Sequence, residues 1–345
     1  MISKINHKKI NSKTYTKKKI YSSKNKKKTH QLKIGCHISI MPSILNGIKY
    51  GQSIGGNSFQ IFMGSNRSAS LKSKTKFEPN ECNDIKDYIS KKNLTLIIHS
   101  IYLLNLCSYP SSSGRIKYQH DNIQHDLKYG SMIGATCVIL HIGFKKTLSE
   151  DEAIYNLISN INHIVKHMPN DIILALETSA CRGSEMGCSL EQLSTIWYSI
   201  KHNNMNLGLL KKVGFVIDTA HIFSSGYDIS NLNGITNYIT QFDNLIGLNN
   251  IVAFHINDSK YKLGSRKDEH VGIGKGNIFN TDSGMKSLKY IKKICNDKNI
   301  PMILETHSAA KNDSKDSKDS KDSKDSKDSK DINSYQYEID LLKKL

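Results

Sequence analysis

A (β/α)8 barrel is the fold this chain predicts, and three observations carry the prediction. From Lys33 onward, short apolar runs alternate with longer amphipathic stretches, eight times over. Runs of that kind, apolar nearly throughout, are what strands buried on both faces require. Second, six of the runs end on a side chain able to bind a metal: LTLIIHS, CVILHIG, IILALET, GFVIDTAH, IVAFHIN and PMILETH place His99, His141, Glu177, Asp218, His255 and Glu305 at intervals of roughly forty residues. Strand ends gather on one rim of a barrel, so these dispersed residues would converge. Third, 345 residues accommodate a barrel of about 250 with extensions.

The elements follow in order. Residues 1–32 hold eleven lysines, no Asp or Glu and little apolar periodicity, and are expected to be a disordered basic arm. KKK at 17–19 and KNKKK at 24–28 suit either a nuclear-type address or an electrostatic DNA tether. The barrel domain is expected over 33–345. Its strands are predicted at 33–38, 58–63, 94–99, 136–142, 172–177, 213–218, 251–256 and 301–305, each rich in Ile, Val, Leu or Phe. Amphipathic helices are predicted at 43–54, 81–92, 115–133, 150–167, 189–203, 232–246 and 281–296, with a closing helix at 334–344. Residues 313–331 repeat Asp-Ser-Lys six times and end on Asp331. Nothing apolar could order that stretch, so it reads as a low-complexity insert that can protrude without cost to the core.

Composition narrows the partners. The formal charge is +18, and removing the arm's eleven lysines leaves 18 − 11, or +7, on a modestly basic body. That sign favours a polyanion such as nucleic acid. Seven cysteines without a CxxC pair argue for a reducing compartment and against a disulfide scaffold. No apolar run approaches the roughly 18 residues of a membrane span. The expectation is a soluble intracellular protein, with a nucleus or a viral replication site suggested by the arm.

Three local clusters extend the set of strand-end ligands. In VIDTAHIFSSGYD, Asp218 and His221 are three apart, so one turn after the strand can aim both inward. In FHINDSKYKLGSRKDEHVGIGKG, Asp268 and His270 follow His255 within a Gly-rich loop and, two apart, project to one side. Nine candidates result: His99, His141, Glu177, Asp218, His221, His255, Asp268, His270 and Glu305. Five imidazoles and four carboxylates suit zinc, with manganese or iron as alternatives. Without cations the four carboxylates would crowd one rim at a considerable electrostatic cost. With one carboxylate bridging, three ions account for all nine, a cluster suited to phosphate-ester hydrolysis.

GFVIDTAHIFSSGYD and HINDSKYKLGSRKDEHVGIGKGNI closely resemble two signature segments of endonuclease IV, the class II apurinic/apyrimidinic (AP) endonucleases. GCHIS at 35–39, HSIYLLNL at 99–106, LETSACRGSEMG at 176–187 and ILET at 303–306 match further blocks of that family in the same order. The resemblance covers 33–311 and the closing helix. It implies a TIM barrel with three zinc ions: one on His99, His141 and Glu177; a second on the bridging Glu177 with Asp218, His255 and Glu305; a third on His221, Asp268 and His270. Glu177 and Glu305 are then its catalytic carboxylates. The implied reaction cleaves the phosphodiester 5′ to an abasic site in double-stranded DNA, giving a 3′-hydroxyl and a 5′-deoxyribose phosphate. Repair of blocked 3′ ends accompanies it, and a monomeric enzyme of base excision repair is expected. By position, Arg67, Tyr102 and Leu103 would wedge into the DNA at the lesion. The chain departs from the family pattern at Ile142, Thr178, Cys181 and Lys275; Cys181 is expected to be a bystander thiol. Two other readings compete: a xylose-isomerase-like sugar isomerase or epimerase, and a non-catalytic DNA-binding protein. The Asp268-x-His270 pair argues against the first, and the complete ligand set against the second.

Overall fold

The computed structural model of the protein describes residues 31–345 except 67, 69, 204–209 and 307–333. The basic arm up to His30, Arg67 and the Asp-Ser-Lys repeat therefore lie outside the described residues. Eight strands form a closed parallel barrel: β1 (Ile34–His37), β2 (Ser58–Phe62), β3 (Thr95–His99), β4 (Cys137–His141), β5 (Ile173–Glu177), β6 (Val213–Asp218), β7 (Ile251–His255) and β10 (Met302–Leu304), the last pairing back onto β1. A two-stranded ribbon, β8 (Asp258–Ser259) with β9 (His270–Val271), stands beyond the end of β7.

Helices fill the connections where the periodicity predicts them: α1 (Ile44–Ser53), α2 (Pro79–Lys92), α3 (Lys117–Met132), α4 (Glu150–His167) and α5 (Leu190–Asn203). After α6 (Thr219–Ser225) come α7 (Leu232–Leu245), α8 (Asp282–Lys298) and α9 (Ser334–Lys344). Local chemistry sets their ends. Ser149 starts α4 with a reciprocal capping box to Glu152, while Asn231 and Thr281 cap α7 and α8. Helix α6 has no counterpart in the sequence reading, because seven residues are too few to display a helical period. No helix among the described residues is long and apolar enough to cross a membrane.

The core has two layers, and the inner one aims the site. Most buried apolar side chains lie between the strands and the helices, but Ile97, Ile139, Ala175, Val216, Ala253 and Ile303 form a separate cluster inside the barrel. Side chains alternate across a strand with period two. Two residues past each interior position therefore stands another interior one: His99, His141, Glu177, Asp218, His255 and Glu305. The plug of apolar side chains thus forms the floor on which these six polar groups rest. Strand register completes the ring, with His141 beside Glu177 and Asp218 beside His255.

A buried ion pair braces the wall behind His99. Lys74 Nζ lies 2.5 Å from Asp126 Oδ1, both side chains at 2% exposure or less. Asp126 also accepts from the Ser100 hydroxyl at 3.2 Å, and the Ser100 carbonyl accepts from His99 Nδ1–H at 2.6 Å. Replacing Lys74 by Met leaves a buried carboxylate short of its counter-charge. We expect Lys74→Met to lose about 3–5 kcal/mol in urea unfolding, and Lys74→Met with Asp126→Leu to recover most of it. A single variant as stable as the parent would show that water reaches this pair.

Candidate metal centre

The nine candidates converge on the rim formed by the C-terminal ends of the strands, in overlapping groups. His99, His141 and Glu177 present ligand atoms within 4.8 Å of one another, as do Glu177, Asp218, His255 and Glu305, and Asp218, His221 and His270. Glu177 belongs to two groups and spans them with its two oxygens. Oε2 faces His99 Nε2 at 3.3 Å and His141 Nε2 at 3.1 Å, while Oε1 faces His255 Nδ1 at 2.7 Å. Asp268 joins the third group from the loop, with Oδ1 at 3.2 Å from His221 Nε2 and 3.0 Å from His270 Nε2. Asp218 borders this group as well as the second: its Oδ2 is 3.7 Å from His255 Nδ1 and 3.8 Å from His270 Nε2.

Each placement has a local cause. Asp218 ends β6 and caps α6, accepting from His221 N at 2.9 Å. That cap starts the turn that carries His221 inward. Asp258 builds the loop that bears Asp268 and His270. Its buried carboxylate accepts from the backbone N–H groups of Gly274, Gly276, Ile278 and Phe279 at 2.8–3.3 Å. A Cβ at Gly276 would collide with that carboxylate, so only glycine lets the loop wrap it. Beyond the insert, Glu338 of α9 accepts from Ile273 N and from the Thr306 hydroxyl, both at 2.7 Å. The closing helix thereby ties the loop to the end of the eighth barrel strand.

A second ring of groups orients the first. His99 Nδ1–H donates to Ser100 O, His221 Nδ1–H to Thr178 O at 2.7 Å, and His255 Nε2–H to Gln60 Oε1 at 2.8 Å. Each bond fixes the tautomer and turns the other ring nitrogen toward the centre. Gln60 also donates to Glu305 at 2.6 Å. Asn257 donates to Asp218 at 2.6 Å and to Glu305 at 3.1 Å. Gln60 and Asn257 were missed from the sequence. The signal was present, since each is an amide inside or directly after an apolar run (SFQIFM, AFHIND), where an unpaired polar group would be costly.

The electrostatics fit a site built for cations. Burial alone would raise the Glu177 carboxyl, but His255 and His141 overcome it and hold the group well below the carboxylate range. Burial likewise opposes Glu305, which His255 still lowers to about 2. Asp268 is depressed in the same way by His221 and His270. In return, Glu305 and Glu177 raise His255 to about 9 against its burial. His221 is raised against burial by Asp218 and Asp268, and His270 by Asp218 and the nearby Asp268. Imidazoles and carboxylates here shift one another in the direction that a divalent ion among them would replace. His221 Nε2 and His270 Nε2 are buried yet make no hydrogen bond of acceptable geometry, although Asp268 is near. Lone nitrogens aimed at one carboxylate oxygen are the donor set a metal needs, so the residues fit a metal centre.

Tyr102 and Leu103 follow β3 on the same rim. Tyr102 packs its ring 5.3 Å from those of His99 and His141 and 5.4 Å from Phe62, yet stays half exposed. Leu103 is 52% exposed, a large apolar side chain left open to solvent. Among the departures, Thr178 accepts from Asp218 N at 3.0 Å through its hydroxyl, and Ile142 is fully buried against Gly187. The expectation for Cys181 needs correction. It is no bystander thiol but is joined to Cys188 in a disulfide, with Cα atoms 5.2 Å apart. The turn at 181–188 brings the two together, which scattered spacing could not reveal. The other five cysteines are free and buried.

A family model described as the xylose isomerase-like TIM barrel matches residues 48–323. A protein described as endonuclease 4 from Acanthamoeba polyphaga mimivirus is 32% identical over 287 residues, covering 81% of this chain and 87% of that one. Another endonuclease 4, from Clostridium beijerinckii, is 33% identical over 282 residues, covering 80% and 92%. Among solved structures, endonuclease IV from Thermus thermophilus superimposes with a TM-score of 0.65 at 22% identity, over 81% of this chain and 93% of that one. A D-tagatose 3-epimerase-like protein also superimposes, at 0.55 and 18% identity over 79% and 90%. The barrel alone therefore does not choose the reaction. The sequence relatives do: the chain is an enzyme of the endonuclease IV family, built on the xylose isomerase-like TIM barrel.

Proposed function

We propose that the chain is a zinc-dependent AP endonuclease that cuts DNA on the 5′ side of an abasic site, with repair of blocked 3′ ends as a second activity in base excision repair. The observation that carries this reading is the convergence of nine side chains into three overlapping groups, the first two sharing Glu177 and the last two sharing Asp218, with Asp268 beside His221 and His270. His99, His141 and Glu177 would hold one zinc. Glu177, Asp218, His255 and Glu305 would hold a second, and His221, Asp268 and His270 a third. When bound, the ions supply Lewis acidity for the phosphate oxygens and for water.

The protein's own part is to bind and orient. Gln60 and Asn257 hold Glu305 and Asp218 in place, so the carboxylates need not reorganise during reaction. A cleft of about 700 Å³ opens beside the centre, lined by His37, Met41, Phe62, Tyr102, Glu305 and Tyr335. Its aromatic walls suit a sugar turned out of the helix. An abasic nucleotide lacks a base to stack, so turning it out costs least, which gives selectivity for the lesion. Leu103, exposed and next in the chain to the cleft residue Tyr102, would fill the gap left in the duplex. Burial and the nearby carboxylates raise the Tyr102 hydroxyl, so it stays neutral toward a phosphate backbone. Arg67 is assigned to the same wedge from the sequence match.

The decisive experiment incubates the protein with a duplex carrying one abasic site, with and without chelator, and reads both product ends. A 3′-hydroxyl and a 5′-deoxyribose phosphate, lost on chelation, are expected. Intact DNA together with epimerisation of a ketose would move the chain to the sugar-epimerase side of its fold. Leu103→Ala should keep its metal and still cleave, but bind the abasic duplex roughly tenfold more weakly, the scale of one apolar anchor lost from an interface. Loss of zinc from that variant would remove Leu103 from the wedge.

A further inference from the structure

The loop joining β5 to α5 carries an arginine whose contacts point at the third group of the centre. Arg182 Nη1 lies 3.2 Å from Asp268 Oδ2. Its Nε and Nη2 donate to Glu185 Oε1 at 2.9 and 2.6 Å, and its backbone N–H donates to Glu185 Oε2 at 2.8 Å. Asp268 is thus used on both sides, one oxygen toward His221 and His270 and the other on the guanidinium. Glu185 is nearly buried, so it holds the fork in one orientation.

The loop itself is fixed. Met186 N donates to Gly143 O at 2.8 Å and Lys145 N to Ser184 O at 2.9 Å, which pins it to the neighbouring β4 loop. Cys181 adopts φ +67°, a left-handed conformation that L side chains rarely take. The Cys181–Cys188 disulfide closes the loop around Arg182 and Glu185.

We propose that Arg182 is a positioning residue for the Asp268 carboxylate, presented by a loop that the Cys181–Cys188 disulfide holds closed. The inference rests on the zinc reading above and adds to it a group that acts through a ligand. With its fork held by Glu185, the guanidinium presents one nitrogen to the outer oxygen of Asp268, which sets the direction of that carboxylate's inner oxygen. Cleaving the disulfide lets the loop relax and should weaken the third zinc selectively. With a phosphine reductant the S–S bond becomes two thiols, while phosphorus is oxidised to the phosphine oxide, water supplying the oxygen and the protons.

The test uses the full chain loaded with zinc alone and follows ion release to a coloured chelator, with circular dichroism alongside. Alkylation of the unfolded, unreduced chain should label five of the seven cysteines. Three zincs per chain are expected for the parent. Arg182→Met should keep two at the parental rate and release one about 10–100-fold faster, the usual effect of removing an outer partner of a ligand. Arg182→Lys should fall between, since an ammonium keeps the charge without the fork. Cys181→Gly with Cys188→Ser, where glycine accepts the left-handed φ, should behave like the phosphine-treated parent and respond no further to phosphine. Parental release from Arg182→Met or from the reduced chain would overturn the inference. So would loss of all three ions with the melting transition, which would make Arg182 a folding residue. A parent that takes up no zinc overturns the zinc reading itself, and that outcome is distinct from both.

Discussion

Glu177→Gln should fold as the parent does and lose abasic-site cleavage by about a thousandfold or more. The side chain is nearly isosteric and sits on the floor of Ala175 and its neighbours, so packing is unchanged. Its charge is what matters. Among the described residues, Glu177 is the carboxylate whose two oxygens face two of the groups, His99 and His141 on one side and His255 on the other. An amide carries no charge and offers a ligand oxygen on one side only, its N–H₂ occupying the other side where an ion would be bound. Two metal positions weaken together, and a preorganised charge in a water-poor site is lost. Cleavage within tenfold of the parent, at parental melting temperature, would remove Glu177 from the centre. Loss of the fold would instead mean that the carboxylate is needed to neutralise the histidines around it.

The six strand-end residues were legible because one physical rule made them so. A strand whose apolar interior residue is Ile97 must aim His99 the same way, and the rule repeats at 139 and 141, 175 and 177, 216 and 218, 253 and 255, 303 and 305. Burial without a partner is costly, so six such ends imply convergence. What the sequence did not display depends on contacts between distant segments. Gln60 reads as part of an ordinary strand until its partners His255 and Glu305 are placed. Asp218 was assigned to one group, whereas the fold sets it between two, because α6 bends the chain straight after β6. Arg182 and Asp268 belong to different barrel loops, and no local pattern pairs them. The Cys181–Cys188 link hid for a related reason: cysteine counting speaks to frameworks, not to one turn.

Metal removal should expose the charge balance of the centre, with a pH dependence whose sign can be fixed. In the metal-free chain His255 is raised to about 9, and His221 and His270 are raised as well. A raised imidazole must release its proton before its nitrogen can bind an ion, so all three oppose metal uptake in the same direction. Zinc uptake near pH 7 should therefore release protons, seen with an indicator dye in weak buffer. Stability of the metal-free chain runs the opposite way. A histidine raised above its unfolded value of about 6.5 contributes fully below that pH and loses its contribution as pH rises through the folded value. Glu177, Asp268 and Glu305 are depressed, the last to about 2. Their contribution is present above the unfolded carboxylate range and is lost as pH falls through the folded values. The metal-free chain should thus gain most from this cluster between about pH 4.5 and 6.5. Zinc-loaded protein should gain as pH rises, because each released proton adds about tenfold to the affinity per pH unit until the histidines are neutral. The difference in melting temperature between loaded and chelator-treated protein should therefore widen from about pH 6 to about pH 9. A constant difference across that range would show that the buried histidines are not exchanging protons for metal.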